Sequence, residues 1–103
     1  MKAKMNNFRV WIDESRPDLL HGAFKKLLKE SGFDIISVQH HFFEPIGFTA
    51  LYLLAESHFA IHTFPEENKT YIELTSCVDK PYEYFISAFH ALNINTKLVE
   101  RNE

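Results

Sequence analysis

Phe8, Val10 and Ile12 alternate with Arg9 and Trp11, a two-residue period that predicts a first β-strand. Ser15-Arg16-Pro17-Asp18 then reads as a helix start, with Ser15 as the expected cap and proline in the first turn. Leu19, Leu20, Ala23, Phe24, Leu27 and Leu28 recur at helical spacing up to Gly32, which is placed to end the helix. From Phe33 the period shortens again. Ile35, Ile36 and Val38 predict a second strand, Glu44-Pro45-Ile46-Gly47 a connection, and Phe48 to Ala55 a third, very apolar strand. Phe59 to Phe64 and Lys69 to Cys77 give two more, joined through the turn composition Pro65-Glu66-Glu67-Asn68. Asp79-Lys80-Pro81 opens a second helix carrying Tyr82, Phe85, Ile86, Phe89 and Leu92 on one face, and a short strand from Thr96 to Glu100 follows. Strand, helix, four strands, helix, strand is the order of an α+β fold, a two-layer sandwich of two helices on one antiparallel sheet.

With no repeat, linker or low-complexity segment, the 103 residues read as one domain from 1 to 103. A content of 46% hydrophobic and 15% aromatic residues, ten of them phenylalanine, supplies a core, yet a domain this small gains from association. The formal charge of -3 argues against a nucleic-acid binder, which carries a basic stripe, and suits a cationic small molecule. No stretch is long and apolar enough to span a membrane, and Met1 to Asn7 lacks the apolar region of a signal peptide, so a cytoplasmic location without membrane association is expected. The single cysteine, Cys77, cannot form an internal disulfide and is either a small buried apolar residue or a chemical one.

The chemistry concentrates in Glu56-Ser57-His58-Phe59-Ala60-Ile61-His62-Thr63-Phe64-Pro65-Glu66, where polar groups lie in an apolar hairpin and are costly unless bonded or used. Pairing across the Pro65–Asn68 turn with Phe64 opposite Lys69 brings Cys77 opposite Glu56, and a slight shift of register brings it opposite Ser57 or His58. Directly opposed residues are about 4.5 to 5.5 Å apart, so hairpin geometry alone sets the thiol beside the Glu56-Ser57 bond. His58 and His62 are four apart on a strand, about 13 Å at about 3.3 Å per residue, too far to share a metal. Ser57 lacks the flanking glycines of a nucleophile elbow, which argues against a Ser57, His62, Glu66 hydrolase triad.

The run Glu56-Ser57-His58, Ile61-His62-Thr63-Phe64-Pro65-Glu66, then Ser76-Cys77, resembles the self-cleaving site of the prokaryotic S-adenosylmethionine decarboxylase proenzymes. The resemblance implies autocatalytic serinolysis at Glu56-Ser57: Ser57 attacks the preceding carbonyl, the resulting ester eliminates, and residue 57 becomes a covalent pyruvoyl group at a new amino terminus. That carbonyl would form a Schiff base with the substrate amine and accept the electrons released with carbon dioxide, so neither an external cofactor nor a metal is expected. The resemblance further implies roles for single residues. Cys77 would be the proton donor, His62 the acid/base of processing and Thr49 its assisting hydroxyl, while Phe43 and Phe64 would meet the adenosyl part of S-adenosylmethionine and Glu66 the ribose hydroxyls. The product would be the aminopropyl donor of spermidine synthesis.

Three positions and one segment depart from the family pattern: Thr49 replaces a serine, Phe64 an indole, Val78 a glycine, and Trp11-Ile12-Asp13-Glu14 a tyrosine-glycine-cysteine segment. Alternatives are therefore a decarboxylase of arginine or ornithine on the same scaffold, and a non-cleaving, non-catalytic homologue. Ser57 and His62 lie five residues apart, about 16 Å on an extended strand and on opposite faces. A homodimer or higher assembly with sites between protomers is expected from this spacing and from the resemblance. His40 and His41 read as solvated strand-end residues, His21 and His90 as surface residues on helices, and Phe42 as core; Phe43 divides between core and substrate stacking.

Overall fold

The computed structural model describes residues 3–92 and the backbone of Val99–Glu100. Its elements run β1 (Asn6–Ile12), α1 (Pro17–Ser31), β2 (Ile35–Phe42), β3 (Phe48–Leu54), β4 (Ser57–Phe64), a single 3-10 turn (Pro65–Glu67), β5 (Lys69–Ser76), α2 (Asp79–His90) and β6 (Val99–Glu100). The strands form one antiparallel sheet in the order β2-β3-β4-β5-β1-β6. The expected α+β architecture is the one observed. Of the expected last strand, Val99 and Glu100 pair with Trp11 and Val10, and residues 96–98 lie outside the described residues.

Both helices pack on one face of the sheet, as the alternation of the strands dictates. Val10 and Ile12 from β1, Tyr52 and Leu54 from β3, Phe59 and Ile61 from β4, and Ile72 and Leu74 from β5 are buried there against Leu20, Phe24 and Leu28 of α1 and Phe85 and Phe89 of α2. Rings form the centre of this core: Phe24 lies 5.2 Å from Phe59, and Phe8 lies 5.4 Å edge-on to Phe89. Such offset and edge-to-face pairs are favoured by the ring quadrupoles. Val10, Ile12, Phe59, Ile61, Ile72 and Leu74 have no exposed surface.

Residues of the opposite parity face away from the helices. Arg9 and Trp11, Leu51 and Leu53, His58, His62 and Phe64, and Tyr71 and Glu73 share this open face, because each is paired with the next across the sheet. Among the described residues no helix covers it. Leu51 and Leu53 are each about half exposed as a result.

Several boundaries differ from the expectation. Ser15 is not the cap of α1: Arg16 occupies that position without a side-chain cap, and the Ser15 hydroxyl donates instead to Asn68 Oδ1 at 3.0 Å. Gly32 does end the helix, with φ 101°, while its N–H bonds to Lys29 and that of Phe33 to Leu28. β2 runs four residues past Val38, to Phe42, and a bulge between Ile35 and Ser37 pushes Ile36 outward. β4 starts at Ser57 rather than Phe59, so only Ala55 and Glu56 connect it to β3.

Candidate active site

The β3–β4 connection is short enough that Leu54 pairs with Ser57, and Glu56 closes the turn with φ 59°. That is the left-handed region, which costs a residue with a Cβ free energy and which glycine usually fills. Strain is thus stored at the peptide unit that the sequence singled out. On the other side β5 pairs Ser57 with Ser76, in the register that sets Phe64 against Lys69.

That register carries Cys77 to Glu56, as hairpin geometry predicted. The Cys77 thiol donates to the Glu56 carbonyl oxygen at 3.0 Å, and its sulfur lies 3.6 Å from Glu56 Oε2. Ser57 points the other way, into the helix-facing layer. Its hydroxyl is buried and donates to Ser76 Oγ at 2.7 Å. A nucleophile, the carbonyl it could attack and a donor on that carbonyl's oxygen therefore meet at one corner of the sheet. Such a donor stabilises negative charge on the oxygen as a tetrahedral centre forms.

A second cluster lies at the other end of β4. Thr49 and His62 are directly opposed across β3 and β4, and Thr49 Oγ1 is hydrogen-bonded to His62 Nδ1 at 3.1 Å. Phe43, Ile46, Thr49, His62, Phe64 and Glu66 line one hollow there. Its lower rim is positioned by the β2–β3 connection, where the Phe43 N–H bonds to the Gly47 carbonyl at 2.8 Å, and by Thr63, whose hydroxyl accepts the Phe48 N–H at 2.9 Å. Phe43 is 49% exposed and Phe42 59%, so neither belongs to the core. Trp11 packs 5.5 Å from Phe64 and 5.3 Å from Tyr71, continuing the aromatic surface across the open face.

The expected site residues thus fall into two groups: Glu56, Ser57 and Cys77 at one end of β4, and Phe43, Thr49, His62, Phe64 and Glu66 at the other. One protomer does not bring them together. Ser57 faces the helices and His62 the open side. Histidines outside the cluster divide. His40 and His41 are exposed on the edge strand β2. His21 is not a free surface residue: its Nδ1 lies 2.5 Å from the hydroxyl of fully buried Tyr52. Burial pushes that phenol up to about 12, and burial likewise lowers the imidazole.

Two neighbours of the site were named in the sequence reading without a role. Ser76 is one, although the register that put Cys77 beside Glu56 also puts Ser76 beside Ser57. Trp11 is the other, since a tryptophan at an alternating position reads as an ordinary strand residue until its neighbours are known.

A family model described as S-adenosylmethionine decarboxylase matches residues 14–102. The S-adenosylmethionine decarboxylase proenzyme of Persephonella marina is 35% identical over 89 residues, 82% of this chain and 64% of the relative. That of Aquifex aeolicus is 32% identical over 84 residues, 82% of this chain and 59% of the relative. The chain accordingly spans less than two thirds of either. A crystal structure of the adenosylmethionine decarboxylase from Aquifex aeolicus shares the fold, with a TM-score of 0.61 at 23% identity, covering 98% of this chain and 94% of that one. With a family match that takes in all but the first 13 residues and the last, the chain belongs to the S-adenosylmethionine decarboxylase family.

Proposed function

We propose that this chain is the self-cleaving precursor of a pyruvoyl-dependent S-adenosylmethionine decarboxylase. The observation that carries the reading is the corner at Glu56: a left-handed residue whose carbonyl oxygen accepts a thiol at 3.0 Å and whose neighbour is a buried serine. Ser57 Oγ attacks the Glu56 carbonyl carbon. The new C–O bond forms as the Glu56–Ser57 C–N bond breaks, and the hydroxyl proton passes to the departing nitrogen. Cys77 steadies the charge on the carbonyl oxygen. Loss of the Ser57 α-proton then expels the Glu56 carboxylate, and water releases ammonia from what remains, leaving residue 57 as a pyruvoyl group. That group supplies the electron sink for decarboxylation, in the manner of a covalently held cofactor.

The hollow at the far end of β4 supplies recognition. Phe43 and Phe64 offer aromatic faces to an adenine and a sulfonium, a cation–π attraction worth roughly 0.5 to 2 kcal/mol. Glu66 accepts hydrogen bonds from ribose hydroxyls. His62, held by Thr49, exchanges the proton of processing, and Cys77 delivers a proton to the carbon that lost its carboxylate. The product retains the aminopropyl group that spermidine synthesis consumes. Because the two groups of residues lie at opposite ends of one strand, the complete site forms between two protomers in a homodimer.

Mass analysis of the purified protein tests processing. The expected result is two fragments divided between Glu56 and Ser57, the second beginning with a pyruvoyl residue. Release of labelled carbon dioxide from carboxyl-labelled S-adenosylmethionine, set beside arginine and ornithine, tests the substrate. An intact chain refutes the precursor reading, and release from arginine or ornithine alone refutes the substrate.

A further inference from the structure

The geometry points to Ser76 as the residue that positions the Ser57 hydroxyl for attack. The inference rests on the processing reading above and adds to it a residue to which that reading gives no part. A hydroxyl has one proton to donate and two lone pairs to accept with. All three are committed at Ser76: it accepts the Ser57 hydroxyl at 2.7 Å and the Val78 N–H at 3.1 Å, and it donates to the Val78 carbonyl at 3.3 Å. Ser76 has no exposed surface, so water does not compete for these bonds.

Two consequences follow for Ser57. Its χ1 has three staggered wells, and a bond from its proton to a fixed acceptor holds it in one of them. Since Ser76 spends its own proton on Val78, it cannot donate to Ser57. Ser57 therefore enters the bond only as donor and keeps its lone pairs for the carbonyl carbon. The acceptor does not retain the proton. In the acyl shift the Ser57 O–H proton ends on the released residue-57 nitrogen as the Glu56 C–N bond breaks, and Ser76 leaves the step unchanged. Val78, which fixes Ser76 through both of its backbone groups, is the N-cap of α2, so the helix anchors the arrangement.

The test follows newly synthesised chains over time, with and without hydroxylamine. Hydroxylamine captures the ester, so the loss of intact chain in its presence reads the acyl shift alone. Ser76→Ala removes the acceptor, Ser76→Cys keeps the volume with a weak acceptor, and Ser76→Thr keeps the hydroxyl. The expected result is an acyl shift slowed about tenfold or more in the alanine and cysteine variants, the size of one lost hydrogen bond at the reacting atom, with the threonine variant near wild type. Thermal midpoints measured in a Ser57→Ala background keep a folding defect apart from slow chemistry. A folded Ser76→Cys chain that undergoes the shift at the wild-type rate overturns the role of Ser76 alone. A wild-type chain that stays intact overturns the processing reading and this inference together.

Discussion

Glu56 stands where its backbone conformation and its chemistry coincide. At φ 59° a residue with a Cβ carries a penalty of roughly 1 kcal/mol that glycine avoids. In a Ser57→Ala chain, which cannot cleave, Glu56→Gly should therefore raise stability by about 1 kcal/mol, read as a higher urea midpoint at unchanged slope. An unmoved midpoint means that the turn stores no strain. Cys77 has two proposed tasks that substitution can separate. Serine at 77 can still donate to the Glu56 carbonyl but is a far poorer acid, so Cys77→Ser should keep cleavage and slow turnover or misplace the proton. Cys77→Ala removes the donor and should slow cleavage roughly a hundredfold, the usual cost of one lost oxyanion contact. Normal decarboxylation by Cys77→Ser, measured with product analysis, would end the proton-donor assignment.

At the scale of elements, the junction of β1 and α1 hangs on Glu14. Its buried carboxylate accepts Arg16 Nε at 2.9 Å, Arg16 Nη2 at 2.8 Å, and the backbone N–H groups of Ser15 and Arg16 at 3.1 and 3.0 Å. The Arg16 side chain is the main reason that its pKa falls from 4.5 to about 2. A depressed folded-state pKa gives stability that is complete above the ordinary value and fades as pH falls from about 4.5 towards about 2. Glu14→Gln should cost up to about 3 kcal/mol at neutral pH and almost nothing near pH 2, where urea unfolding curves of variant and wild type converge. A constant difference across that range rules the clamp out. This junction also shows where the sequence stops being legible. Ser15 had the composition of a cap, but the carboxylate one residue earlier holds the Ser15 and Arg16 N–H groups, Arg16 takes the cap position and the Ser15 hydroxyl turns to Asn68. The core strands were readable because a buried face enforces a period of two. β2 was read short because it is an edge strand: beyond Val38 its Gln39, His40 and His41 are exposed and the pattern is lost. For the same reason Phe42, which read as core, points outward, and of the two readings of Phe43 the core one fails. The meeting of Cys77 with Glu56 was legible from turn composition alone. The Thr49–His62 bond was not, since it needed the register of β3 on β4 as well.

For the whole molecule, the open face is the decisive feature. Leu51 and Leu53 lie half exposed on the same side as His62, Phe64 and Trp11, an apolar surface that a small domain does well to cover. In the proposed homodimer, two-fold pairing would cover it and each protomer would lend its His62 cluster to the other's Glu56 corner. Mixing a Ser57→Ala chain with a His62→Ala chain should then restore cleavage of the His62→Ala chain, because its partner supplies the missing imidazole. Mass analysis of the mixture reads the result directly. Cleavage at the normal rate by a species that sediments as a monomer would exclude a shared site.

A final consequence belongs to where the bond lies. Glu56 and Ser57 sit between two neighbouring interior strands, β3 held also by β2 and β4 held also by β5. The proposed cut would remove a tether without removing a rung, and the pieces would stay interlocked in one sheet. The new chain end would be the first residue of β4 itself, with no slack to wander from the place where it was made. Folding, however, becomes a different problem. Before the cut it is a first-order event of a single chain, and afterwards it is an encounter of two fragments that depends on their concentration. A nicked molecule, once melted and diluted, should fail to regain its structure under conditions in which the uncut Ser57→Ala chain returns, so its native state is held by history as much as by equilibrium.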